Sequence, residues 1–168
     1  REALSGQPLK GLSVLDIGSG WGGFAEVAAK EYGAKVTSIT ISDAQHGYAV
    51  QRIADVGLSD QVEIVMRDYR DVQGEFDAVA SIEMFEAVGE EYWPSYFAKI
   101  AGVLKPGGRA ALQIITIDDA HFEDYRSRTD FIQRYIFPGG MLPSERRLRE
   151  ETAAAGLRFE VDAMFGES

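Results

Sequence analysis

The apolar positions of this 168-residue chain fall into short blocks whose spacing alternates between that of strands and that of helices. Leu12 to Ile17 is a nearly continuous apolar run ended by Gly18, the pattern of a strand buried on both faces. Phe24 to Tyr32 repeats apolar residues at helical spacing and stops at Gly33, a helix-ending residue. Lys35 to Ile41 is rich in β-branched residues, and Asp43 to Val56 predicts a helix capped by Ser42 or Asp43 and closed by Gly57. Val62 to Met66, Phe76 to Ile82 and Arg109 to Ile117 predict three further strands. Between the last two, a helix over Trp93 to Leu104 ends at the turn Lys105-Pro106-Gly107-Gly108. Residues 121–150 break the alternation with a polar helix, the loop Phe137-Pro138-Gly139-Gly140 and a charged helix from about Ser144. Leu157 to Met164 predicts a last strand. Alternation of this kind implies right-handed crossovers and a single doubly wound α/β domain, with residues 118–150 as a late helical insertion over the sheet.

Composition narrows what such a domain does. No window of about 18 unbroken apolar residues exists, so no segment reads as a membrane-spanning helix. The absence of cysteine removes disulfides, thiolate zinc sites and a cysteine nucleophile together, and is compatible with cytoplasm. With 17 Lys and Arg against 27 Asp and Glu, the formal charge of −10 argues against nucleic acid as a partner and against broad attraction to anionic lipid. The basic share sits late: residues 121–150 hold six arginines against five acids. The opening segment has no targeting pattern, and the chain starts without Met, which suggests a fragment or processed piece of a longer product. His46 and His121 are too far apart and too poorly companioned to suggest a metal site.

The chemistry concentrates at Asp16-Ile17-Gly18-Ser19-Gly20-Trp21-Gly22-Gly23, where the first strand hands over to the first helix. Gly18, Gly20 and Gly23 satisfy the GxGxxG spacing of a dinucleotide site, so an NAD enzyme is one reading. Against it, the second strand ends in Thr40-Ile41-Ser42 without the acid that would hold a ribose hydroxyl. A tight turn that binds nothing is another reading, in which Asp16 merely satisfies loop amides. The pattern Asp-x-Gly-x-Gly instead resembles motif I of S-adenosylmethionine-dependent methyltransferases, which implies that Asp16 faces the amino acid end of the cofactor while Gly18, Ser19, Gly20, Trp21 and Gly22 make room for it. Asp68 and Tyr69, ending the third strand, suit an adenine amine and ring, or equally a cap and a core aromatic.

Several segments together resemble the cyclopropane fatty acid synthases and the related mycolic acid and fatty acyl methyltransferases. They are Val14 to Gly23, Thr40 to Gln45, Ser81-Ile-Glu-Met-Phe-Glu86, Leu104 to Gly108 and Phe131 to Ser144. The resemblance implies a mostly parallel, seven-stranded-type Rossmann-like sheet and S-adenosyl-L-methionine as cofactor, with Thr40, Ile41, Gln45 and Ile82 completing its site. It further implies electrophilic methylation of the cis double bond of an unsaturated phospholipid acyl chain, giving a cyclopropane or a methylene- or methyl-branched product. Glu86, Gln113, Ile115 and Tyr135 then form the catalytic set. In ring-forming members a bound bicarbonate removes the proton. Here Gln113 and Ala87 stand where those members carry His, which turns the expectation toward branched products, because an amide cannot carry a proton as imidazole does. Glu86 also reads simply as an acid favoured at a helix N-terminus.

The apolar residues Phe131, Tyr135, Ile136, Phe137, Met141 and Leu142 either face an acyl chain or pack the insertion on the sheet. The arginines around them, Arg126, Arg128, Arg134, Arg146, Arg147 and Arg149, either meet lipid phosphates or solvate helix faces. The resulting expectation is a cytoplasmic enzyme, peripheral at the inner membrane surface, with transient membrane contact and a homodimer. The alternatives are a methyltransferase for a small soluble acceptor, or a cofactor-binding core without catalysis.

Overall fold

A computed structural model describes residues 10–127, 140–161 and 163. Five parallel strands, β1 (Ser13–Ile17), β2 (Lys35–Thr40), β3 (Val62–Met66), β4 (Phe76–Ile82) and β5 (Leu104–Gln113), lie in the order β3-β2-β1-β4-β5. The chain winds outward from β1 through β2 to β3, then returns to add β4 and β5 on the other side. The order therefore reverses between β1 and β4, the place where doubly wound sheets open a crevice for ligands.

Alternation along β1 divides the core in two. Val14, with Val36 and Ala78 on its neighbours, faces α1 (Gly23–Tyr32) and α2 (Asp43–Asp55), where Ala25, Ala28 and Ala29 let α1 approach closely. Leu15, Ile17, Ile39 and Val79 point the other way, into a larger aromatic layer of Phe85, Trp93, Tyr96, Phe97 and Phe122. Phe85 comes from the short turn after β4, Trp93, Tyr96 and Phe97 from α3 (Trp93–Val103) and Phe122 from α4 (Asp119–Ser127), while α5 (Glu145–Ala154) adds Leu148. Burial of each such aromatic stabilises the fold by about 1.5–3 kcal/mol. The caps match expectation: Gly33 ends α1 at φ 68° with its N–H on the carbonyls of Ala28 and Ala29, and the Ser42 hydroxyl accepts from the Gln45 N–H at the start of α2.

Three expectations are corrected. Lys105-Pro106-Gly107-Gly108 is a bulge inside β5 rather than a turn before it. The two-residue step from Phe76 to Ala78 faces the five-residue step from Leu104 to Arg109, so the surplus residues loop out, with Gly107 at φ 80°. The strand expected over Leu157 to Met164 does not form over 157–161, and the sheet has five strands among the described residues. Leu157 and Phe159 instead pack on the larger core as irregular chain. β5 also stops at Gln113, short of the expected Ile117, which makes an isolated bridge to Ser144. Tyr135, Phe131, Ile136, Phe137, Arg128 and Arg134 lie outside the described residues.

Candidate active site

The carboxyl ends of β1, β2, β4 and β5 meet at the switch point. After Ile17 the chain turns through Gly18, Gly20 and Gly22, all at positive φ. Both Gly18 and Ser19 donate their N–H to the Ile39 carbonyl, at 3.1 and 2.8 Å, which ties the turn to β2. A Cβ on Gly18 would stand 3.2 Å from the Met84 side chain, and one on Gly22 3.2 Å from Ala49, so the turn has no room for side chains at these two positions. Trp21 is exposed and packs edge-on against Tyr48, with centroids 5.3 Å apart.

Asp16, the last but one residue of β1, is 1% exposed. The Ser38 hydroxyl donates to its Oδ2 at 2.6 Å, while Oδ1 is buried with no partner. Burial pushes its pKa up to about 7, against the smaller opposing effect of the Ser38 hydrogen bond. At the end of β2, Thr40 is buried and its hydroxyl donates to Gln45 Oε1 at 2.9 Å, while Ile41 stands 74% exposed beside them. Asp68 caps the short turn Tyr69–Asp71 and binds the Arg70 guanidinium at 2.6 Å, which holds its carboxyl below the usual range. Tyr69 lies edge-on to Tyr96, centroids 5.2 Å apart.

Glu86 sits in the short turn Phe85–Ala87 beyond β4 and is as buried as Asp16. Its Oε1 accepts the Ile115 N–H at 2.5 Å and its Oε2 has no partner. Burial raises its pKa, the backbone N–H groups oppose that, and the charge of Glu83 adds to the rise. Ile115 meets Glu86 through its main chain, while its side chain, like that of Ile82, is exposed. Gln113 donates its amide to Glu83 Oε1 at 2.9 Å. Cavities of about 310 and 100 Å³ lie at the opposite, amino-terminal edge, lined by groups such as Val72, Lys99 and Lys105, away from this chemistry.

Four contributors escaped the sequence reading. Ser38 meets Asp16 only through the β1–β2 register. Met84 closes over Gly18. Ser81 donates to the Ile17 carbonyl at 3.1 Å and accepts from the Tyr96 hydroxyl at 2.9 Å, riveting the turn's base to α3. Glu83 adopts φ 51°, the one non-glycine at positive φ among the described residues, where an L-residue is strained by about 1–2 kcal/mol. Ser38 carries no local sequence signal, whereas Ser81, Glu83 and Met84 lie within the segment Ser81 to Glu86.

The insertion is partly visible. Phe122, Met141 and Leu148 are buried in the larger core, so the described part packs against the sheet. Arg126 and Arg147 converge on Glu90, at 2.8 and 3.6 Å, Arg147 also binds Glu151 at 2.8 Å, and Arg149 pairs with Glu145 at 2.6 Å. These arginines are neutralised within the protein. No cluster of three metal-ligating side chains exists among the described residues.

Known proteins share this arrangement. The chain is 44% identical over 155 residues to the tuberculostearic acid methyltransferase UfaA1 of Mycobacterium tuberculosis, covering 92% of this chain and 36% of that protein. It is 37% identical over 147 residues to the cyclopropane-fatty-acyl-phospholipid synthase of Escherichia coli, covering 84% of this chain and 35% of that protein. Among solved structures, the mycolic acid cyclopropane synthase CmaA1 complexed with SAH and CTAB superposes with a TM-score of 0.79 at 28% identity, over 92% of this chain and 57% of that one. The chain thus spans about a third of the length of these curated relatives. The sequence profile of mycolic acid cyclopropane synthetase matches residues 5–167, and with the sheet order and the glycine turn in place the chain belongs to that family.

Proposed function

We propose that this chain is the cofactor-binding and catalytic core of an S-adenosylmethionine-dependent C-methyltransferase that acts on the cis double bond of unsaturated fatty acyl chains. The observation that carries the reading is a pair of buried, half-satisfied carboxylates, Asp16 near the end of β1 and Glu86 in the turn after β4, the two strands between which the sheet order reverses. A buried polar atom without a partner is costly unless a ligand completes it. The residues fit the cofactor. Asp16 Oδ1 suits an ammonium, the main chain at Gly20 has open space beside it for a sugar, Thr40 and Gln45 are held together at the end of β2, and Trp21, Ile41 and Ile82 offer exposed apolar surface. Asp68 and Tyr69 suit the adenine, with Asp68 shared between that amine and Arg70. When bound, S-adenosylmethionine supplies an electrophilic methyl group.

The chain's own residues supply the rest. Glu86 Oε2, buried and without a partner, is free to stabilise a neighbouring cation or, when protonated, to donate a hydrogen bond to an anion such as bicarbonate. Exposed Ile82 and Ile115, at the carboxyl ends of β4 and β5, offer apolar surface suited to an acyl chain. The resemblance to named fatty acyl and phospholipid enzymes supports a lipid acceptor reached at a membrane surface.

Expression of the full chain in a host rich in cis-unsaturated lipids should yield acyl chains heavier by one methylene or methyl unit. Unchanged lipids, with S-adenosylhomocysteine bound in a titration, would leave a soluble acceptor as the reading. Glu86→Gln should keep cofactor affinity and lower turnover at least about tenfold, the minimum expected on losing a positioned acid–base group. Equal turnover removes Glu86 from the catalytic set.

A further inference from the structure

Glu83 is built into the edge of the site with more constraint than an exposed residue needs. Its main chain takes the left-handed conformation at φ 51°, its N–H donates to the Gln113 carbonyl at 2.9 Å, and its Oε1 accepts the Gln113 amide at 2.9 Å. Main chain and side chain are therefore both clamped to the end of β5. Backbone strain held by its surroundings gathers at functional sites. The next residue, Met84, lies against the Gly18 turn, and Glu86 follows three positions on. Glu83 thus sits just past the carboxyl end of β4, clamped to the end of β5, next in sequence to exposed Ile82 and to Met84 on the turn.

Two features divide the work between the acids. Glu86 is buried, has one oxygen tied to the Ile115 N–H, and is surrounded by protein that disfavours its charge. Glu83 is exposed, and the Gln113 bond engages only one of its oxygens. Gln113 itself is an amide and takes no proton near neutral pH.

We infer that Glu83 is a catalytic residue, the carboxylate that receives the proton lost from the methylated acyl chain, with Gln113 as its positioning residue. This assignment rests on the acyl methyltransferase reading. Adding a methyl group to one alkene carbon uses the π pair for the new bond and leaves the adjacent carbon cationic. Glu83 takes a proton from a neighbouring C–H bond. The pair of that bond then closes either a ring or a new double bond, and the carboxylic acid returns its proton to water once product leaves. No oxidant or reductant enters.

The test uses Glu83→Gln and Glu83→Gly in the full chain, with S-adenosylmethionine and vesicles of phosphatidylglycerol bearing one cis double bond per acyl chain. Binding of S-adenosylhomocysteine, the thermal midpoint and the acyl products by mass spectrometry are measured together. Both variants should bind S-adenosylhomocysteine within about twofold of wild type and lose at least about tenfold of methylated product. Residual turnover should shift toward chains carrying both a methyl and a hydroxyl group, the mark of a cation captured by water. Glu83→Gly should do so without lowering the thermal midpoint, because glycine accepts the positive φ. Turnover of Glu83→Gly within twofold of wild type overturns the assignment, as does a product loss matched by an equal loss of S-adenosylhomocysteine affinity. Wild type that binds S-adenosylhomocysteine but methylates no acyl chain overturns the substrate reading and this assignment with it, a result visible before any variant is compared.

Discussion

At Asp16, one buried atom links stability, pH and ligand binding. Its carboxyl titrates near 7 because burial disfavours the charge, whereas in the unfolded chain it titrates near 3.8. A raised folded-state value means that the contribution to stability is fully present below about pH 4 and is lost as pH rises through about 7. The shift corresponds to at most about 4 kcal/mol. Urea unfolding from about pH 5 to pH 8 should therefore show wild type losing stability relative to Asp16→Asn, which has no such proton to release. Ligand binding should have the opposite sign. An ammonium beside Oδ1 favours the charged form, so affinity for S-adenosylhomocysteine should rise with pH through about 7 in wild type and stay flat in Asp16→Asn. A flat wild-type profile would separate Asp16 from the cofactor.

Among the elements, β5 shows how a local signal and its tertiary outcome part company. Lys105-Pro106-Gly107-Gly108 carries strong turn chemistry, and the chain does bend there, yet strand pairing resumes on both sides and makes the bend a bulge. Asp77 fastens this end. It accepts both the N–H and the hydroxyl of Ser13 at 2.8 Å and pairs with Lys105 at 2.9 Å, which lowers its pKa to about 2. Gly108 is confined by the same bulge, since a Cβ there would stand 2.9 Å from the carbonyl oxygens of Asp77 and Lys105. Gly108→Ala should lower stability by about 1–3 kcal/mol, the usual range for overpacking, while leaving S-adenosylhomocysteine affinity at the far edge unchanged. Denaturant unfolding and calorimetric titration of the same variant check both halves.

For the molecule as a whole, the late segment belongs to the core it covers. Phe122 on α4 is fully buried and lies 6.3 Å from the Trp93 ring, while the Arg147 guanidinium stacks 5.7 Å over the same indole. Phe122→Ala should therefore destabilise the entire domain by about 3–5 kcal/mol in a single cooperative transition. An unchanged thermal midpoint would mark α4 as a detachable flap.

Much of this was legible in the chain itself. Strand and helix positions through Val103 follow from hydrophobic spacing and from caps at Ser42 and Gly33, because these are local in origin. The motif residues around Gly18 and Glu86 were likewise readable, since their chemistry lies within a few positions of sequence. What the sequence could not decide is everything that depends on register and crossing. Ser38 reaches Asp16 from 22 residues away, Ile115 caps Glu86 from 29, and Gln113 clamps Glu83 from 30. Those pairings exist only because five strands lie side by side with their carboxyl ends level, and no periodicity along one strand records what stands on the next. The same reason explains why no strand forms over 157–161: the apolar residues Leu157 and Phe159 find their burial against the core without joining the sheet.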